Sequence, residues 1–147
     1  MAKAPWWRDG LRRCGSCEEY KDPSAFNKNA SETDGLARRC KRCRKDDKLR
    51  HMYGMTLAQY EEIIERQGGG CATCGRTEEE NGQALAVDHD HDCCPRTGPN
   101  TRTCGKCTRA ILCRECNLLI GKANHDAGLL RRLADLLEDK NGQVFRG

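Results

Sequence analysis

Large apolar side chains are scarce in this chain. Its 147 residues include 2 Phe, 2 Trp and 3 Tyr, and only 37% of the sequence is hydrophobic. Such a composition builds a thin core, so an additional staple is expected. Long apolar runs are also missing. The opening stretch, Met1 to Arg8, holds none of the length that a signal peptide needs. No segment approaches a membrane span. These absences predict an intracellular, cytoplasmic protein with no membrane partner, in a compartment where thiols stay reduced.

Cysteine is what the chain has in quantity, with 12 residues. In a reducing compartment, clustered cysteines at C-x-x-C spacing read as zinc ligands rather than disulfides. Cys14-x-x-Cys17 pairs with Cys40-x-x-Cys43 as a zinc-ribbon or treble-clef-like module. Cys71-x-x-Cys74 has Cys113-x-x-Cys116 as its natural partner. Cys104-x-x-Cys107 and the adjacent Cys93-Cys94 remain. A third zinc there would fold the loop from Pro95 to Thr103, and the alternative is a set of free or oxidisable thiols.

Charge is unevenly spread. Residues 1–55 hold 14 Lys and Arg against 8 Asp and Glu, and residues 56–147 hold 12 against 14. The basic half suits a polyanion such as nucleic acid. A zinc bound by four thiolates carries about −2, which a formal count ignores, so local clusters matter more than the total. The densest cluster runs from Arg38 to Arg50 around the second knuckle. Arg38, Arg39, Lys41, Arg42, Arg44 and Lys45 are expected to form a phosphate-binding face, against the plainer reading of a solvated helix start.

Met55-Thr56-Leu57-Ala58-Gln59-Tyr60 predicts a helix start, with Thr56 and Gln59 as a capping box. Leu57, Tyr60, Ile63 and Ile64 keep a helical period, and Gln67-Gly68-Gly69-Gly70 stops it. A β-hairpin is expected between Gln83–Val87 and Arg109–Cys113, followed by a helix from Asn117. A third helix is expected from Leu129 to Lys140. Its leucine face packs on its own domain or forms a homodimer seam.

Val87-Asp88-His89-Asp90-His91-Asp92 sits at the centre of this order. Two imidazoles and three carboxylates in six residues are costly unless something positive sits among them. Together with Cys71-x-x-Cys74 and Arg109-Ala110-Ile111-Leu112-Cys113-Arg114-Glu115-Cys116-Asn117, this run resembles the phage recombination endonuclease VII family. That family is a branch of the His-Me finger (HNH, ββα-metal) nucleases. The resemblance covers roughly residues 55–125. Two departures stand out: Ala110 replaces a glycine common in the family, and apolar Ile120 replaces an acidic residue near the start of the last helix.

The resemblance implies a small, zinc-stapled α+β protein. A basic zinc-binding module would span 1–54, a ββα-metal nuclease core 55–125, and a C-terminal amphipathic helix and tail 126–147. It implies a DNA endonuclease acting on branched DNA, including four-way junctions, in phage recombination, repair or packaging. If phage-encoded, it would act in the host cytoplasm. Asp88 and Asn117 offer oxygens that suit a catalytic Mg²⁺ or Mn²⁺. His89 is the expected general base, since an ordinary imidazole titrates near ~6.5. His91 supports the metal or the scissile phosphate, completes a zinc site, or only hydrogen-bonds. Asp90 and Asp92 orient a histidine or are simply exposed. Arg109 is expected to grip a phosphate. Two alternatives stay open: an HNH nicking or homing-type enzyme on duplex DNA, and a non-catalytic multi-zinc DNA-binding protein.

Overall fold

The computed structural model describes residues 5–95 and 102–139. The middle of the expected zinc-folded loop, residues 96–101, and the tail 140–147 lie outside the described residues. The chain forms two compact units. One comprises Met1–Ile63 and His89–Thr108, and the other Ile64–Asp88 and Arg109–Gly147. The boundary expected at residue 54 therefore lies within the first of these units. Among the described residues no helix is long and apolar enough to cross a membrane.

The first unit starts with a three-stranded antiparallel sheet, β1 (Trp7–Arg8), β2 (Leu11–Arg13) and β3 (Tyr20–Lys21). Strands β4 (Phe26–Lys28) and β5 (Leu36–Cys40) form a second antiparallel pair, with Phe26 opposite Cys40. Phe26 forms a small apolar plug, packed with Cys14 and Cys40. A buried cation lies over it. Arg12 is only 2% exposed, and its guanidinium is 4.9 Å from the Phe26 ring centre. It donates to Asp34 at 2.6 Å and to the carbonyl of Ala37 at 2.9 Å. A buried Arg is tolerated only with partners of this kind.

Helix α1 (Lys41–Tyr53) grows out of the second knuckle. Cys40 is its N-cap, and the Cys40 sulfur accepts from the Cys43 N–H. Gly54 ends it in the left-handed conformation, donating to the Leu49 and Arg50 carbonyls. Helix α2 (Leu57–Arg66) follows with the expected capping box: Gln59 N–H to Thr56 Oγ1 at 3.1 Å, and Thr56 N–H to Gln59 Oε1 at 2.8 Å. Met55, Leu57 and Tyr60 are buried.

In the second unit the Gly68-Gly69-Gly70 stop leads straight to the third knuckle. A Cβ on Gly70 would lie 2.2 Å from the Gly75 carbonyl oxygen, so only glycine fits there. Gln67 ties this corner to the later strand through two bonds to the Ile111 backbone, both at 2.9 Å. A short helix α3 (Glu78–Asn81) precedes the two-stranded sheet of β6 (Ala86–His89) and β7 (Thr108–Leu112). Leu85, Val87, Ile111 and Leu112 supply the core. Helix α4 (Arg114–Lys122) begins at the last knuckle, where the Cys113 sulfur accepts from the Cys116 N–H. Helix α5 (Ala127–Glu138) is capped by Asp126. The order strand, strand, helix with a knuckle at the turn into the helix gives the small α+β fold that the sequence predicts.

Candidate functional site

All twelve cysteines fall into three groups of four. Within each group the sulfurs lie no more than 4.8 Å apart. The groups are those read from spacing: Cys14, Cys17, Cys40 and Cys43; Cys71, Cys74, Cys113 and Cys116; Cys93, Cys94, Cys104 and Cys107. One sulfur–sulfur distance in each is 3.8, 3.6 and 3.7 Å respectively. A tetrahedron with zinc–sulfur bonds of about 2.3 Å has edges of about 3.8 Å, so each donor set fits a zinc ion.

The first two groups are built alike. A turn supplies one pair and a helix N-terminus the other. Burial raises the Cys14 and Cys71 thiols, but backbone N–H donors outweigh it and bring both to about 6. Those donors belong to Cys40, Cys17 and Ser16 around Cys14, and to Cys113, Cys74 and Thr73 around Cys71. In the third group the Lys106 N–H, then the neighbouring thiols, bring Cys104 to about 6. Burial drives Cys17 to about 12, and hydrogen bonding to Cys104 and Cys94 drives Cys93 to about 12. A dication among them would let all four sulfurs of a group ionise together.

In the second unit Asp88 is buried, 6% exposed, and both its oxygens are engaged by one side chain. Arg109 donates from Nε to Oδ2 at 2.8 Å and from Nη2 to Oδ1 at 3.0 Å. The same Nη2 lies 3.0 Å from Nδ1 of His125. Arg109, expected on a phosphate, is thus placed on a carboxylate. His125 was not a candidate from the sequence. The Asn124-His125 pair just after α4, both with positive φ, aims it there. Asn117 lies half-buried in the first turn of α4, its N–H bonded to the Cys113 carbonyl. A carboxylate oxygen has two lone pairs, so the Arg109 fork leaves Asp88 capacity for a cation, and the Asn117 carbonyl is a second oxygen donor. Oxygen donors of both kinds are chemically suited to a hard divalent ion.

In the first unit His89 and His91 stand side by side, with ring centres 4.7 Å apart and planes tilted 36°. Nε2 of His89 is buried and has no hydrogen-bond partner among the described residues, and the same holds for Oγ1 of Thr108. A buried orphan nitrogen is costly unless a water, ion or substrate group meets it.

Much of the expected phosphate face is paired internally. Arg38 holds Glu32 at 3.0 Å, Arg39 holds Asp47, and Arg42 holds Glu61 at 2.6 Å. Lys45 lies 4.4 Å from the Tyr60 ring centre. Lys41 and Arg44 have no ion-pair partner among the described residues. The exposed pairs hold little energy, so phosphates can compete for those arginines.

A two-stranded sheet that carries Asp-His and runs through a cysteine knuckle into a helix defines a zinc-stapled ββα class. Within that class the sequence profile described as recombination endonuclease VII matches residues 46–139. The chain belongs to the recombination endonuclease VII family. A relative, the Gene 59 protein of Mycobacterium phage D29, is 36% identical over 86 residues, or 58% of this chain. The match covers 44% of that relative, so this chain spans less than half of its length. Among solved structures, the beta-beta-alpha-Me type II restriction endonuclease Hpy99I is similar at 20% identity and a TM-score of 0.35. That similarity covers 87% of this chain and 65% of the other.

Proposed function

We propose that the chain is a metal-dependent DNA endonuclease that hydrolyses phosphodiester bonds, with branched DNA, including four-way junctions, as its preferred substrate. The observation that carries the reading is the family match across 46–139, which contains the Asp88-His89 run, both flanking knuckles and Asn117. The cysteine arithmetic supports it. Three groups of four use all twelve cysteines, and the Asp-His run is not needed for structural zinc.

Asp88 and Asn117 would hold Mg²⁺ or Mn²⁺. Bound there, the ion supplies positive charge at the scissile phosphate and the leaving 3′ oxygen. His89 takes the proton from the attacking water. The buried Nε2 supports that role, because it makes no hydrogen bond to the described residues that a water would have to displace. His91 supports the phosphate beside it. Arg109 orients the Asp88 carboxylate through its two-pronged contact and lends positive charge to the phosphate. Lys41 and Arg44 bind flanking phosphates, joined by Arg38, Arg39, Arg42 and Lys45 as their internal contacts yield to DNA. Cutting a junction takes two coordinated incisions, which a symmetric homodimer provides. The setting is phage recombination, repair or packaging in the host cytoplasm.

The test is cleavage of a synthetic four-way junction against its matched linear duplex with Mg²⁺ or Mn²⁺. Faster cutting of the junction is expected. Equal cutting removes the branch preference and leaves a duplex nicking enzyme. No cutting of any DNA form leaves a zinc DNA-binding protein.

A further inference from the structure

Between β6 and β7 the first unit contains a segment with almost nothing apolar to hold it. From Asp90 to Cys107 there is no Leu, Ile, Val, Met, Phe, Tyr or Trp. Yet its two ends are closely tied, and the ties converge on Asp90, the residue between the two imidazoles. The Asp90 N–H donates to the Cys107 carbonyl at 2.9 Å, and the Asp90 carbonyl accepts from the Cys94 N–H at 3.0 Å. The Asp90 carboxylate accepts from the Asp92 N–H at 2.9 Å, closing the turn. Both backbone groups of Asp90 are therefore held by cysteines of the third group. The Cys104 N–H adds a 3.2 Å bond to the Cys94 sulfur.

The other side of the third group is anchored to the end of α1. The Thr103 N–H donates to the Met52 carbonyl at 2.8 Å. Gly105 and Gly54 touch through their backbones: a Cβ on Gly54 would lie 3.1 Å from the Gly105 Cα. Helix α1 itself starts at the first cysteine group. A continuous run of rigid parts thus leads from the first group along α1 to the third group and on to His89-Asp90-His91.

The three groups differ in exposure. The first buries Cys14 and Cys40, and the second buries Cys71 and Cys113. The third buries none: Cys93 and Cys104 are exposed, while Cys94 and Cys107 are half-buried.

We propose that Cys93, Cys94, Cys104 and Cys107 bind a zinc ion that positions the His89 and His91 imidazoles, so that occupancy of this site controls turnover while fold and DNA binding persist. The proposal rests on the reading of His89 and His91 as groups that act on the phosphodiester. Without the ion, nothing apolar repays the entropy of ordering residues 90–95 and 102–107, and the Asp90 turn loosens. A misplacement of about 1 Å at reacting groups can cost ~100-fold in rate. The other two zinc ions, each with two buried sulfurs, keep the knuckles and helices in place. Being the most exposed of the three, this ion is the first to leave under a chelator or a thiol oxidant.

The experiment uses the full chain. Zinc is removed and returned stepwise while the histidine ring resonances are followed by NMR, with zinc content measured at each step. The His89 and His91 signals are expected to reach their final positions only with the third equivalent. In parallel, Cys104→Ser with Cys107→Ser is compared with wild type. That variant should hold two zinc ions per chain, keep its main thermal transition and its DNA Kd within about twofold, and lose kcat by ~100-fold. A wild type that binds two zinc ions, or histidine signals already final at two equivalents, overturns the proposal. So does a two-zinc variant with unchanged kcat. If the variant does not fold, the wild-type titration decides. If wild type cuts no DNA, the nuclease reading fails, while the NMR titration still decides whether this zinc sets the imidazoles.

Discussion

Arg109 holds Asp88 by a two-pronged contact, Nε to Oδ2 at 2.8 Å and Nη2 to Oδ1 at 3.0 Å. The carboxylate is almost wholly buried, whereas the arginine side chain is 40% exposed. Removing the guanidinium leaves a buried charge without its counterpart. Arg109→Ala is expected to cost about 2 kcal/mol, below the range for fully buried pairs because solvent screens the arginine side. Arg109→Lys keeps the charge and loses the fork, so it should fall between wild type and alanine. Urea unfolding of the zinc-loaded protein measures this. No difference among the three would show that Asp88 does not depend on the pair.

His125 braces the same guanidinium through Nη2 at 3.0 Å. Its removal leaves the Asp88 fork intact, so His125→Ala should cost no more than about 1 kcal/mol. A nuclease assay is the more telling readout, because a looser Arg109 should lower cleavage by severalfold. A variant that is stable and fully active would show that the brace is incidental.

Gly70 is a sharper structural test. A Cβ there would meet the Gly75 carbonyl oxygen at 2.2 Å and the Arg76 carbonyl oxygen at 2.8 Å, both backbone atoms. Gly70→Ala must move the turn that carries Cys71 and Cys74. A loss of about 2–4 kcal/mol and weaker retention of the second zinc are expected. Competition with a chromophoric chelator reads the zinc. Wild-type retention would contradict the packing described for this corner.

Acid should release zinc from all three groups. Cys14, Cys71 and Cys104 are held at about 6, below an ordinary thiol near ~8.5. For a group lowered on folding, the stability tied to ionisation is complete above the unfolded value and is lost as pH falls through the folded one. Every sulfur must also shed its proton to bind zinc, so zinc affinity should fall steadily as pH drops and be largely lost below about 6, when even these three sulfurs take protons. Zinc retention that stays flat from pH 8 to 5 would contradict this.

The cysteine groups were legible because zinc fixes ligand spacing locally, and each pair sits within one turn. The Thr56–Gln59 box was legible for the same reason: both partners lie within four residues. The first arm of the hairpin lies later than the expected Gln83–Val87. Strand β6 starts at Ala86, because the Leu85 N–H is taken by the Glu78 carboxylate at 3.3 Å. Helix α4 starts at Arg114 rather than Asn117, because the Cys113 sulfur caps it. Arg12, Thr108 and His125 could not be picked out at all. What singles them out is a contact or an orphan atom set by residues far away in sequence, and no local pattern marks it. The same holds for the ion pairs that partly cover Arg38, Arg39 and Arg42.

Helix α5 keeps its leucines largely uncovered, with Leu133, Leu136 and Leu137 at 44, 49 and 85% exposed. The homodimer in the proposed function should show as twice the chain mass in sedimentation at working concentration. Leu137→Glu should shift it toward monomer. A wild-type monomer would remove the dimer from the account.

The central claim is that His89 activates water for phosphodiester cleavage. Nicking of supercoiled plasmid with Mg²⁺ or Mn²⁺ tests it most directly, comparing wild type with His89→Ala at equal zinc content. The account predicts metal-dependent nicking by wild type and a loss of at least ~100-fold in the variant. Equal nicking by both proteins, or none by wild type with either metal, would contradict it.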